Sequence, residues 1–340
     1  VELFELSRQV PTLAIVGTAK NVGKTTTMNW LIERFEARGV RLGLTSVGRD
    51  GEELDMVTDR PKPQIAPPPG TLVATAHLSA KRSTARLKEV RATPFRTAIG
   101  PVSIYEVQSL GTVEVAGPVS ASDTRRLSDM LRELGARQII VDGAIDRRAS
   151  ASSDVADGVI LATGLALSED PEEVALRTAA HVRWLSLPRA PFPVPDQAGT
   201  LLDTAADRFL PWPGKSLLEH GEELARWLPP EAEALVLPGA FTEAMARGLM
   251  RRPNPARELA VIVPDGTHIL MEPEVFQRLE AHGMRVYASR AIRLIAVTLN
   301  PTSPQGATTD PERFLARMRS ELDGLPVYDL RLPERQASGR

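Results

Sequence analysis

The sequence contains no cysteine. Disulfides, thiolate metal centres and a cysteine nucleophile are thereby excluded. Lysine is scarce: six of the 41 basic residues are lysine, and two of them, Lys20 and Lys24, fall in one short stretch. A net charge of −2 gives no basic field to attract nucleic acid or an anionic membrane. The four tryptophans form no stripe on which bases could stack, and the five scattered histidines include no i,i+4 pair to hold a transition metal. Long apolar runs are missing too. The opening VELFELSRQVPTLAIVG sets acidic residues before a run too short for a signal sequence or a membrane span. A cytoplasmic chain with neither a membrane nor nucleic acid as partner is the expectation.

What is present begins at Gly17. Residues 13–16 form an apolar run closed by that glycine, and Met28, Leu31, Ile32 and Phe35 follow at helical spacing with Gly39 beyond them. Between run and helix stands GTAKNVGKTTT, a glycine-bounded loop between a strand and a helix start. Backbone N–H groups of such a loop converge with the helix N-terminus on one spot, where aligned peptide dipoles favour an anion. Gly17, Thr18, Asn21, Val22 and Gly23 are accordingly candidate phosphate-binding positions. Lys24 is the candidate to reach the β- and γ-phosphates, Thr25 to ligate Mg²⁺, and Thr26 to approach the α-phosphate. The leading glycine stands one place earlier than the usual spacing.

A Mg²⁺–nucleotide site also needs carboxylates at neighbouring strand ends. Asp142 closes the apolar run QIIVD and is followed by Gly143, and Asp50 lies in the acidic stretch SVGRDGEELD after the second expected strand. Both are candidate metal and catalytic residues; a turn-capping role for Asp142 and a solvated one for the acidic loop are the alternatives.

The 340 residues suffice for one extended domain or two smaller ones. Residues 41–46 read as a strand completing a βαβ unit. Five prolines forbid helix or central strand over residues 60–70. Further strands are expected at 71–76, 102–107, 113–116, 138–141 and 158–162, with helices at 122–134 and from Asp170-Pro171 to about residue 184. Residues 188–215, rich in proline, read as a linker or irregular surface segment, after which alternation resumes. Asp265-Gly266-Thr267-His268 reads as a turn. The pattern predicts an α/β protein with a mostly parallel sheet of the P-loop NTPase type, a nucleotide-binding domain over 1–186 and a second α/β region over 187–340.

The loop, with the strand end Asp142-Gly143-Ala144, resembles the P-loop branch that holds dethiobiotin synthetase, the cobyrinate amidating enzymes and the MinD/ParA ATPases. Two late strand ends, at Asn300 in IAVTLN and at Pro333 in LPVYDLRLP, are similar to the positions that recognise the base in that branch. Residues 292–333 are then expected to complete the first sheet, while a role for Asn300 in capping the NPTSP turn is an equal alternative. VGTAKNVGKTTTMNWLIE, LGLTSVGRDGEELDMVT, IIVDGAIDRRASAS, VLPGAFTE and AVTLNPTSP together resemble the KamB family, the ATPase-like subunit of lysine 5,6-aminomutase reactivases. That resemblance implies Mg²⁺ and ATP as cofactors and ATP-dependent release of damaged cobalamin. It implies a second reactivase subunit and a cobalamin-dependent aminomutase as partners, with a homodimer as a further assembly. A carboxylate-activating ligase of the dethiobiotin synthetase type and a nucleotide-binding module without turnover are the competing functions. The ligase's lysine and proline after the second strand are replaced by Thr45-Ser46-Val47.

Overall fold

The computed structural model describes residues 2–48, 64–143, 152, 154–214, 221–252 and 258–332. The chain divides into two units, Val1–Ala179 with Arg293–Arg340, and Ala180–Ile292. Asp50 and the rest of its acidic loop lie outside the described residues.

In the first unit a short helix, α1 (Leu3–Ser7), precedes β1 (Thr12–Gly17), all of whose residues are buried. A strand without a solvent face has to be apolar on both sides, which TLAIVG supplies and which suits the middle of a parallel sheet. Full burial of Leu13 and Ile15 contributes about 1.5–3 kcal/mol each. Helix α2 (Lys24–Glu36) buries Met28, Leu31, Ile32 and Phe35 as one stripe, and the Phe35 ring meets Phe4 of α1 at 4.9 Å. Then come β2 (Leu42–Ser46), β3 (Leu72–Ala76), α3 (His77–Arg82), β4 (Leu87–Thr97), β5 (Gly100–Val107), α4 (Ala121–Glu133), β6 (Gln138–Asp142), β7 (Gly158–Gly164) and α5 (Pro171–Leu185).

The second unit holds β8 (Gly199–Asp203), β9 (Arg208–Pro211), α6 (Gly221–Trp227), β10 (Ala234–Val236), β11 (Phe241–Thr242), α7 (Glu243–Met250), β12 (Leu259–Val263), β13 (Ile269–Leu270), α8 (Pro273–Ala281) and β14 (Met284–Ala288). Its five-stranded sheet runs β14-β12-β10-β8-β9, and its core gathers Leu235, Val261, Phe241, Phe276 and Leu279. The first unit is then completed by β15 (Leu294–Asn300), α9 (Pro311–Glu321) and β16 (Val327–Asp329).

Among the described residues the large sheet has nine strands in the order β16-β15-β7-β1-β6-β2-β3-β5-β4. Pairing is parallel from β16 through to β3, and the last two strands, β5 and β4, add antiparallel at one edge. The protein is thus an α/β structure with a mostly parallel sheet, compatible with the P-loop NTPase fold, and a second α/β region. In-register parallel pairing aligns the carboxyl ends of β1, β6, β7 and β15 along one edge: Ile15 lies opposite Asp142, and Asn300 opposite Gly164. In open α/β sheets ligands bind outside this edge.

Local differences from the sequence reading have identifiable causes. Residues 113–116 form no strand; Val113 makes a single bridge to Ile65, and the Thr75 side chain bonds Glu114 O and Ala116 N–H. Strand β4 was not anticipated. The helix expected at 122–134 starts at Ala121, because Ser120 is the N-cap and accepts from the Asp123 N–H at 3.3 Å. The segment read as a linker contains β8 and β9. Asp265 caps a 3₁₀ turn over Gly266–His268.

Candidate functional site

The loop between β1 and α2 is shaped by two left-handed residues and one close approach. Asn21 has φ of 61° and Gly23 of 99°, reversing the chain twice before the helix starts. At Gly17 the requirement is space. A Cβ there would stand 2.7 Å from Val22 Cγ2 and 2.9 Å from both Cγ and Cδ of Lys24. The stem of Lys24 therefore folds back over Gly17, so its ammonium is carried by a side chain lying along the loop rather than leaving the helix. Gly23 is the N-cap of α2, and among the described residues no side chain caps that end. The first-turn N–H groups of a helix have no intrahelical partner, and here no side chain competes for them.

The loop's attachments come from strands distant in sequence. The Thr18 N–H donates to Ala162 O of β7 at 2.9 Å, and the buried Thr18 hydroxyl donates to Thr163 Oγ1 at 3.1 Å. Thr163 in turn lies 2.8 Å from Thr178 Oγ1 of α5. On the other side the Thr27 hydroxyl donates to Gly23 O at 3.1 Å and lies 2.8 Å from Thr298 Oγ1 of β15. Since the single Thr27 hydroxyl proton goes to Gly23, Thr298 is the donor between the two. Asn300 Nδ2 donates to Asn21 O at 3.2 Å.

Asp142 is half-buried at the end of β6, its register partners being Ile15 of β1 and Ser46 of β2. Its carbonyl accepts from the Val47 N–H at 3.2 Å, and the Gly143 N–H donates to Ile15 O at 3.0 Å. That fastens the acid beside the loop strand. Ser46 ties the end of β2 to the next edge: its hydroxyl donates to Gly48 O at 2.8 Å and accepts from the Gly117 N–H at 2.9 Å, while Gly48 N–H donates to Pro118 O at 2.7 Å.

Gly17, Thr18, Asn21, Val22, Gly23, Lys24, Thr25 and Thr26 form one strand–loop–helix turn, with Val22 buried, Lys24 and Thr25 half-buried and Thr26 exposed. Asp142 and Asn300 sit at the ends of strands flanking or near it. Asn300 Oδ1 accepts from Arg331 at 2.8 Å and from the Thr302 hydroxyl at 2.9 Å. Thr163, Thr298, Ser46 and Arg331, at or near strand ends, and Thr27 and Thr178, within α2 and α5, were not marked by the sequence; only the strand-end position of the first four could have suggested them. Nearby, Asp329 closes β16. It is 6% exposed, Oδ1 accepts from Arg331 N–H at 3.0 Å, and Oδ2 has no partner among the described residues, so burial holds its carboxyl above the usual carboxylate range. Among the described residues no group of three metal-ligating side chains occurs, and no helix is long and apolar enough to cross a membrane.

No family model matches the sequence, and no curated protein matches it. Among solved structures the chain is similar to the signal recognition particle 54 kDa protein of Aeropyrum pernix K1 in complex with GDP. That likeness has 20% identity and a TM-score of 0.26, and covers 49% of this chain and 32% of the other. The chain therefore spans about a third of that protein's length.

Proposed function

We propose that the first unit binds a Mg²⁺–nucleoside triphosphate at the turn from β1 to α2, and that the nucleotide is ATP, as the motifs' resemblance implies. The observation that carries this reading is the pairing of an uncapped α2 N-terminus with a lysine stem laid over Gly17. A helix N-terminus without a side-chain cap and one ammonium on the same turn would form a cradle for a phosphate chain. The residues fit. Loop and first-turn N–H groups would hold the β-phosphate, Lys24 would reach the β- and γ-oxygens, and Thr25 and Asp142 would hold the cation, with Asp50 joining from the acidic loop. Bound Mg²⁺ would offset charge on the bridging β- and γ-oxygens.

On this reading the protein is a switch ATPase whose γ-phosphate orders the loop that follows β2 and whose hydrolysis releases it. The tie between Ser46–Gly48 and Gly117–Pro118 gives that loop a fixed root. By the resemblance, the switch serves a reactivase: with a second subunit it frees a cobalamin-dependent aminomutase of damaged cobalamin. Nucleotide can drive such exchange only if the triphosphate and diphosphate states bind the damaged enzyme with different affinity. The test has two stages. Titration calorimetry with Mg²⁺–ATP should show binding by the parent and none by Lys24→Ala. Reconstitution with the second subunit, inactivated aminomutase and fresh adenosylcobalamin should restore turnover with the parent only. Equal recovery without this protein rejects the reactivase role, and phosphate release stimulated by a small carboxylate would replace it with the ligase.

A further inference from the structure

We infer that Asn300 and Arg331 are a positioning pair that holds the phosphate loop in its binding conformation, rather than readers of the nucleotide base. This rests on the nucleotide-binding reading above and assigns within it what the two late strand ends do. The resemblance places a base-reading residue at Asn300. A carboxamide that reads a purine in the usual bidentate way must offer both its carbonyl oxygen and its N–H₂ to the base. Here the oxygen is already occupied. Asn300 Oδ1 accepts one hydrogen bond from Arg331 Nη2 at 2.8 Å and another from Thr302 Oγ1 at 2.9 Å, which uses both of its lone pairs. Arg331 Nη2 also lies 3.1 Å from Thr302 Oγ1, closing a three-membered cluster.

With its oxygen fixed, the amide can present only its Nδ2 side to the loop. There it donates to Asn21 O at 3.2 Å. Turning the amide over would break both bonds to Oδ1 and set that oxygen against the Asn21 carbonyl, so the direction of the contact is dictated by Arg331 and Thr302. The contact falls where the loop needs holding. Asn21, at φ 61°, is one of two described non-glycine residues in the left-handed region, a conformation that persists only where the surroundings impose it. Two residues on, Gly23 packs against the same side chain: a Cβ at Gly23 would lie 3.2 Å from Asn300 Cβ. Asn300 thus touches both left-handed residues of the loop, and Arg331 acts through it.

The test compares two ligands that share the phosphate chain and differ in the base, ATP and inorganic tripolyphosphate, each with Mg²⁺, titrated calorimetrically into the full chain. If the pair positions the loop, Asn300→Ala and Arg331→Ala each weaken both ligands by a similar factor, about tenfold. The double variant is then no weaker than Asn300→Ala, because among the described residues Arg331 reaches the loop through that amide. Weakening of ATP alone, with tripolyphosphate unchanged, identifies a base reader and overturns the proposal. Losses that multiply in the double variant show that Arg331 acts on the phosphates by its own charge, which overturns it as well. A parent that binds neither ligand refutes the nucleotide reading itself, a result distinct from either pattern. Should Arg331→Ala fail to fold, Thr302→Val removes the other donor to Oδ1 and must weaken both ligands together.

Discussion

Replacing Gly17 by alanine adds one methyl group where the structure has no room for it. The new carbon would stand 2.7 Å from Val22 Cγ2 and 2.9 Å from Lys24 Cγ and Cδ, against an ordinary carbon–carbon contact of about 3.5–4.0 Å. Gly17 itself lies outside the left-handed region, so the backbone accepts alanine and the whole effect is steric. Val22 is 1% exposed and has little space into which to retreat. The lysine stem can move. Overpacking costs of about 1–3 kcal/mol are usual, and here most of that strain is relieved by lifting Lys24 off the loop, which disturbs ligand binding far more than folding. At about 1.4 kcal/mol per decade, ATP affinity should fall roughly 5- to 150-fold while the melting temperature shifts by only a few degrees. Calorimetric titration with Mg²⁺–ATP and a thermal melt measure both quantities. Parent-like affinity in Gly17→Ala, or a large loss of stability with affinity intact, would refute the reasoning.

Asp142→Asn should weaken the Mg²⁺ dependence of nucleotide binding by about tenfold while leaving binding in chelator unchanged, as read from Mg²⁺ titrations at fixed ATP; an unaltered curve would make the carboxylate a turn cap. Thr298→Val removes the donor to Thr27 between two buried residues and should cost about 1–2 kcal/mol, seen as a lower denaturant midpoint with unchanged slope. Asp329 has its folded pKa raised by burial, so its ionisation opposes folding: the stability it allows is greatest below the usual carboxylate pKa and declines as pH rises through the folded value. Asp329→Asn should therefore stabilise the protein at neutral pH by about 1 kcal/mol, with the advantage over the parent vanishing in acid. Melting curves at a series of pH values check the sign.

The turn from β1 to α2 was legible because its determinants are local: an apolar run, two glycines and a helical stripe within a few residues of one another. Asp142 was legible for the same reason, as the polar end of an apolar strand. Strand β4 was not, since LKEVRATPFRT lies at the sheet edge with mixed polarity and a proline, and shows no alternation to read. Residues 113–116 misled in the opposite direction, being rich in β-branched residues whose backbone is held by the Thr75 side chain and by single bonds to Ala76 and Ile65 rather than by a continuous ladder. Least legible were the loop's fastenings. Thr27 and Thr298 are ordinary polar residues until a fold 271 positions long brings them together, and nothing in either neighbourhood announces the other.

That separation governs when the site can exist during synthesis. Asn21 and Asn300 are 279 residues apart, so at about 5–20 residues per second the ribosome needs roughly 14–56 s after making the loop before it makes the clamp. Throughout that interval the nascent chain carries the GTAKNVGKTTT segment without β15 or β16 beside it, while the whole of Ala180–Ile292 is produced. On the nucleotide reading, the loop can grip a phosphate chain in its final form only after β15 and the residues beyond β16 have been made.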